Sequence, residues 1–238
     1  MEFIITDKFI DLFPNPTIAV VRGEIESPHS EARERVVSLQ EQAEKHLKEQ
    51  GLETATLTSH QHIAVWRQAY QKFGVKAKDH KPTHEALARR ILREEGWPKI
   101  NLPVDIYLTN QATHLLPHGG YDTTTLKGDL VLDLCDTSEP FEPLGGGQEL
   151  TGPGEVVYRN NGRIVTRRWN YRDCDATKIT DTTSSMVLVI ESPSDAIPSA
   201  VVEAAADDLV RRYNHCFQGK FEAMVLRISR GSTRFKIG

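Results

Sequence analysis

Short β-rich runs alternate along the chain with longer stretches of helical period, and the most sharply bounded runs lie within residues 152–191. Glu155 to Arg159 and Arg163 to Trp169 flank Asn160, Asn161 and Gly162. An Asn-Gly step between two such runs predicts a hairpin whose second strand delivers Arg167, Arg168, Trp169, Asn170, Tyr171 and Arg172 together. Upstream, residues 1–5 and 17–25 read as strands joined through Pro14-Asn15-Pro16. Ser30 is placed to cap a helix over about 31–50, stopped by Gly51, with Val36, Val37, Leu39, Ala43 and Leu47 as its apolar stripe. A second helix over about 63–73 carries Trp66, Tyr70 and Phe73 on one face, an aromatic core stripe, and ends at Gly74. Pro82 and Thr83 open a third, ended by Gly96, in which Glu85, Arg89, Arg90 and Arg93 read as a solvated face. Val104 to Leu108 predicts a buried strand, and Gly119-Gly120 a turn ahead of a strand over 129–134. Met186 to Glu191 is an apolar strand, Pro198 opens a helix to about Phe217, and Phe221 to Ser229 reads as a closing strand. With no repeat or low-complexity linker, the simplest architecture is one α+β domain over residues 1–238, strands inside and helices at the periphery.

Composition narrows the function classes. At 39% hydrophobic and 26% charged residues the chain reads as an ordinary globular protein. No apolar run reaches the roughly 18 residues of a membrane span. The opening MEFIITDKFIDLF has acids where a leader carries bases, which points to the cytoplasm. Cys135, Cys174 and Cys216 are an odd set without Cys-x-x-Cys spacing, suiting free thiols rather than a disulfide frame. The net charge of −4 excludes a generally basic nucleic-acid binder, so any RNA contact must be local, as at Arg163, Arg167, Arg168 and Arg172. Nine histidines include no His-Glu-x-x-His, and His60/His62 and His114/His118 lack partners at ligand spacing, so no metal is expected. The glycine clusters LPHGGYD and PLGGGQE lack the Gly-Lys-Ser/Thr of a phosphate loop, although their backbone N–H groups can face an anion or oxyanion. Without a Gly-x-Ser-x-Gly elbow, an enzyme with this inventory positions water, needing no cofactor and no covalent nucleophile.

Several motifs then occur in one collinear order over about residues 60–191: WRQAYQKFG, PTHEALARRIL with PKINLPVDIY, LPHGGYDTTTLKGDLVLDL, PLGGG, GEVVY with RRWNYRD, and TKITDTTSSMVLVIE. Together they resemble the B3/B4 domain of the β subunit of phenylalanyl-tRNA synthetase, and more closely the free-standing proteins built from that domain. The resemblance implies an α+β fold with a mixed β-sandwich or barrel-like core. It also implies hydrolysis of the ester of a wrongly attached amino acid, chiefly tyrosine, on tRNA. An aminoacyl ester is already activated, so a pocket that holds the tRNA 3′ end and orients water suffices.

Residue by residue, Trp66, Arg67, Tyr70, Gly120, Tyr121, Asp122, Gly145, Glu155, Trp169, Asn170, Arg172 and Thr180 match the free-standing pattern. The pocket histidine of the synthetase motif falls on Gly119, with His118 one place earlier; its asparagine falls on Leu108, with Asn110 two places later; its pocket glutamate falls near Lys178. The expectation is a trans-acting editing hydrolase in which Glu155 or His118 orients the water. Gly119, Gly120 or Gly145 would supply backbone donors, and Arg67, Arg168 and Arg172 would hold tRNA phosphates. The alternatives are a non-catalytic module of the same fold that binds tRNA or a free amino acid, and a structural role.

Overall fold

Strands whose every side chain is apolar lie between two covering layers, and Met186 to Ile190 is such a run. The computed structural model describes residues 1–230 and 233–237. The chain begins with β1 (Glu2–Ile5), α1 (Asp7–Leu12), β2 (Thr17–Pro28), α2 (Ala32–Glu49), α3 (Gln61–Lys72), α4 (Thr83–Leu92) and α5 (Leu102–His114). The central part holds β3 (His118–Asp122), β4 (Leu130–Leu134), β5 (Pro140–Phe141), β6 (Glu149–Leu150), β7 (Val156–Asn160), β8 (Arg163–Arg167) and β9 (Arg172–Asp173). It closes with β10 (Ser185–Ser192), α6 (Ser199–Cys216), β11 (Phe217–Leu226) and β12 (Arg234–Lys236).

A mixed six-stranded sheet has the order β12-β1-β4-β7-β8-β9, with β1 and β4 parallel. An antiparallel four-stranded sheet has the order β11-β2-β10-β3. The sheets face one another through aromatic contacts such as Tyr121 to Tyr158, ring centroids 6.1 Å apart. Each sheet keeps two ends, so among the described residues the core is a sandwich and no barrel closes. The helix α6 packs on β11, β2 and β10, and α5 on α2, α6 and α4.

The Asn161-Gly162 hairpin forms as read: both residues adopt positive φ, 49° and 76°, and β7 pairs with β8 across them. Several readings change: α1 stands between the strands read at 1–5 and 17–25, and the strand read at 221–229 is β11, followed by β12 as the closing strand. Residues 104–108 lie within α5, because the Asn101 side chain caps the Val104 N–H at 3.0 Å and Pro103 sits in the first turn, where its missing donor costs nothing. An apolar run of that length fits a buried helix as well as a strand, and the capping residue decides. Gly119-Gly120 is the middle of β3, opposite Val189 and Leu188 of β10. A Cβ at Gly120 would stand 2.4 Å from Leu188, so this glycine admits the neighbouring side chain. In α2, Val37 is exposed while Val36, Ala43 and Leu47 are buried, and no side chain caps the helix. In α4, Glu85 is fully buried, bonded by Arg67 at 2.8 Å and Arg89 at 2.9 Å.

Candidate functional site

The space between the two sheets opens into a cavity of about 580 Å³. Its floor is β3 and β10, through Gly119, Tyr121, Val189 and Glu191. The opposing wall is the hairpin and its exit, through Tyr158, Thr166, Trp169 and Asn170, and α4 and α5 close one side with Arg90, Tyr107 and Gln111. Arg172 and Tyr171 also line it.

Local backbone geometry sets the hairpin wall. Arg168 and Trp169 both take positive φ, 49° and 66°, a conformation costing non-glycine residues about 1–3 kcal/mol each. Three interactions hold it: the Trp169 N–H donates to Val156 O at 2.7 Å, the Arg168 N–H donates to Glu155 at 3.2 Å, and the indole packs among Phe9, Phe13 and Trp66 with ring centroids 4.6 to 4.9 Å away. The chain thus turns Trp169 inward and aims its N–H at the cavity's carboxylate.

That carboxylate is Glu191, at the end of the apolar run in β10 and fully buried. Its Oε1 accepts the Trp169 indole N–H at 2.6 Å and the Tyr158 hydroxyl. Burial raises its pKa from 4.5 to about 7, so near neutral pH it exists in both protonation states. Its Oε2, Asn170 Nδ2 and Gln111 Nε2 make no hydrogen bond of ordinary geometry, although the Asn170 amide stands close enough to the Glu191 carboxylate to hold its pKa down; all three residues line the cavity. Beside them, Tyr121 and Thr166 share a hydrogen bond of 2.6 Å and Thr166 reaches Asp173 at 2.6 Å, whose carboxyl burial raises to about 6. Buried polar atoms are ordinarily paired, so unpaired donors and an unpaired acceptor on one cavity are groups that an occupant can satisfy. The outer part is cationic: Arg172 and Arg168 lie over the Tyr171 ring, 5.5 and 5.1 Å from its centroid.

Of the residues read from the sequence, the structure brings His118, Gly119, Tyr121, Trp169, Asn170 and Arg172 to this cavity. It does not bring Glu155 there. Both oxygens of Glu155 are held by Arg167, at 2.8 and 2.9 Å, with Gly152 N–H added at 3.2 Å, so it braces the hairpin. His118 lines the cavity, yet its Nδ1 stands 2.9 Å from Leu116 O and its Nε2 2.6 Å from Asn110 Oδ1. Burial lowers its pKa to about 3, so the ring is neutral and its single N–H donates to one of these two acceptor oxygens. Trp66 and Tyr70 lie in the core behind Trp169, and Tyr70 donates to Asn170 at 2.8 Å. Arg67 is held by Glu85. Asp122 accepts from Thr183 and Thr124, Thr180 bonds within its own loop, and Lys178 pairs with Asp175 on the surface. Gly145 is in the exposed loop joining β5 to β6, outside the cavity.

Glu191, Gln111, Tyr158 and Asp173 were not singled out from the sequence. The available signal for Glu191 was a single acid terminating five apolar residues of a central strand. Among the described residues no three His, Cys, Asp or Glu side chains are grouped to hold a metal, and no helix is long and apolar enough to cross a membrane.

The family model described as the B3/4 domain matches residues 65–208. An N-terminal fragment of the phenylalanyl-tRNA synthetase beta-subunit from Pyrococcus horikoshii is similar in structure, with a TM-score of 0.47 and 11% identity over 95% of this chain and 54% of that one. The present chain therefore spans about half the length of that fragment. No curated protein matches the sequence.

Proposed function

The chain belongs to the B3/4 domain family, and on that premise we propose that it is a trans-acting hydrolase removing the amino acid from a mischarged aminoacyl-tRNA. The observation that carries this reading is the inter-sheet cavity with its three unpaired buried polar atoms, Glu191 Oε2, Asn170 Nδ2 and Gln111 Nε2. A volume of about 580 Å³ lies in the range of small-ligand sites. The aromatic walls suit a base or a ring side chain.

In this reading the water is oriented by Glu191, in place of Glu155 or His118. A carboxylate with a pKa near 7 is a competent base at neutral pH. It takes the proton as the water oxygen attacks the ester carbonyl, and the proton then passes to the departing ribose oxygen. The Asn170 and Gln111 amides face the carbonyl oxygen as its charge develops, a role worth about a hundred- to a thousand-fold in rate for one donor. Arg172 and Arg168 hold phosphates of the 3′ end, and Tyr171 between them offers a ring for stacking. Such a protein works beside tRNA in the cytoplasm.

A second reading, a binding module without chemistry, is favoured by one observation: Glu155 is held at both oxygens by Arg167, and the buried His118 ring is wedged between Leu116 O and Asn110 Oδ1. Incubating a panel of mischarged tRNAs with the wild type and with Glu191→Gln separates the two. Ester cleavage by the wild type, reduced about a hundredfold in the variant, supports the hydrolase. Binding of tRNA with no cleavage of any pair leaves the module, and no tRNA binding at low ionic strength overturns both.

A further inference from the structure

The outer strand β11 runs for ten residues along the edge of the four-stranded sheet, and β2 pairs with it on one side only. Among the described residues, no loop or side chain bonds to its backbone from Lys220 to Leu226 on the other side. Long open edges recruit another strand unless something blocks them, and charge is the usual block. Here the charges form a pattern. At the outer end of the face that carries Tyr121, Glu222 stands opposite Arg22 and Lys220 opposite Glu24, so β2 and β11 pair in alternating sign. Lys220 and Glu222 are exposed, at 70% and 56%, and pair with each other at 2.8 Å, an ion pair that the contact across a two-fold axis would exchange for one between copies.

We infer that β11 is a self-association edge, which pairs antiparallel with β11 of a second copy of this chain about a two-fold axis through Phe221. In that register, and in no other two-fold register, Lys220 lies opposite Glu222 of the second copy and Glu222 opposite its Lys220. The row Arg22, Glu222 then continues into Lys220 and Glu24 of the second copy, and the row Glu24, Lys220 into its Glu222 and Arg22. Each becomes four charges of alternating sign. Phe221 then meets its own copy on the axis, Gly219 falls opposite Ala223, and Gln218 opposite Met224. A two-fold contact must be complementary to itself, and a cation and an anion two residues apart satisfy that condition. The same charges disfavour slipped registers, where they would lose their partners. The surface lies away from the inter-sheet cavity, so this inference stands independently of the hydrolase reading.

Sedimentation of the full chain tests it. The wild type is expected as a dimer through the micromolar range. Lys220→Glu and Glu222→Lys each place like charges opposite one another at both ends of the pair and weaken dimerisation roughly tenfold or more. Mixing the two variants makes every cross-axis pair opposite in sign, and mixed dimers form. That rescue also shows that each variant is folded. A wild type that stays monomeric through the high-micromolar range overturns the inference. So do single variants that dimerise like the wild type, or a mixture that fails to associate.

Discussion

Glu191 fixes two properties at the scale of the residue. Its folded-state pKa of about 7 exceeds the ordinary 4.5. The fold therefore favours its protonated form, and that stabilisation is complete below about 4.5 and lost as pH rises through about 7, a swing on the order of 3 kcal/mol. Glu191→Gln keeps an oxygen for Trp169 and Tyr158 without the charge. The unfolding free energy of this variant is expected to fall less between pH 5 and 8 than that of the wild type, by about 2–3 kcal/mol. Asp173, raised to about 6, retains its smaller share. The arginines divide in the same way. Arg167→Ala leaves Glu155 buried without its partner and is expected to cost about 3–5 kcal/mol in chemical denaturation. Arg172, 42% exposed, is expected to shift stability within about 0.5 kcal/mol on truncation, and to lower the salt slope of tRNA binding by about 0.7 if it contacts one phosphate. The RRWNYRD segment was legible as a site because its composition is unusual. Which of its arginines is structural was not, since the Glu155 that consumes Arg167 is twelve positions away and reaches it only across the hairpin.

At the scale of elements, the sequence was most informative where one local device decides the outcome. Asn161-Gly162 specifies a tight turn wherever it stands, and Pro198 with the following apolar stripe specifies the start of α6. It was least informative where the partner decides. Residues 104–108 are as apolar as a strand, and only the Asn101 cap, which also donates to Ile179 O at 2.9 Å, turns them into α5. Asn101→Ala removes both bonds, and a loss of about 1–2 kcal/mol in denaturant unfolding is expected, with Gln111 at the far end of the helix displaced from the cavity. The β3 glycines behave similarly: they resemble a turn by composition but lie in a strand because Leu188 and Ile179 occupy the space of a Cβ at Gly120. Gly120→Ala is expected to lower stability by about 1–3 kcal/mol in the same assay. An unchanged midpoint would show that the neighbours can withdraw.

Across the whole molecule, the family resemblance carried by scattered motifs was legible, whereas their convergence was less so: Trp66, Arg67 and Tyr70 share α3, which contributes nothing to the cavity lining, and sit behind it, in the core or in the Glu85 network. With a net charge of −4, the RNA contact of the proposed function is expected to be local, at the Arg168, Tyr171 and Arg172 corner. Two or three phosphate contacts there predict a log-log salt dependence of binding of about −1.4 to −2, and a much steeper slope would place the RNA elsewhere. The cavity borrows one wall from each β layer, and its occupant would act as a rivet through the thickness of the protein. Amide hydrogen exchange should therefore slow in β7 and in β10 together when a non-hydrolysable aminoacyl-adenosine is added, while a ligand resting on the outer arginines alone would quieten only the hairpin.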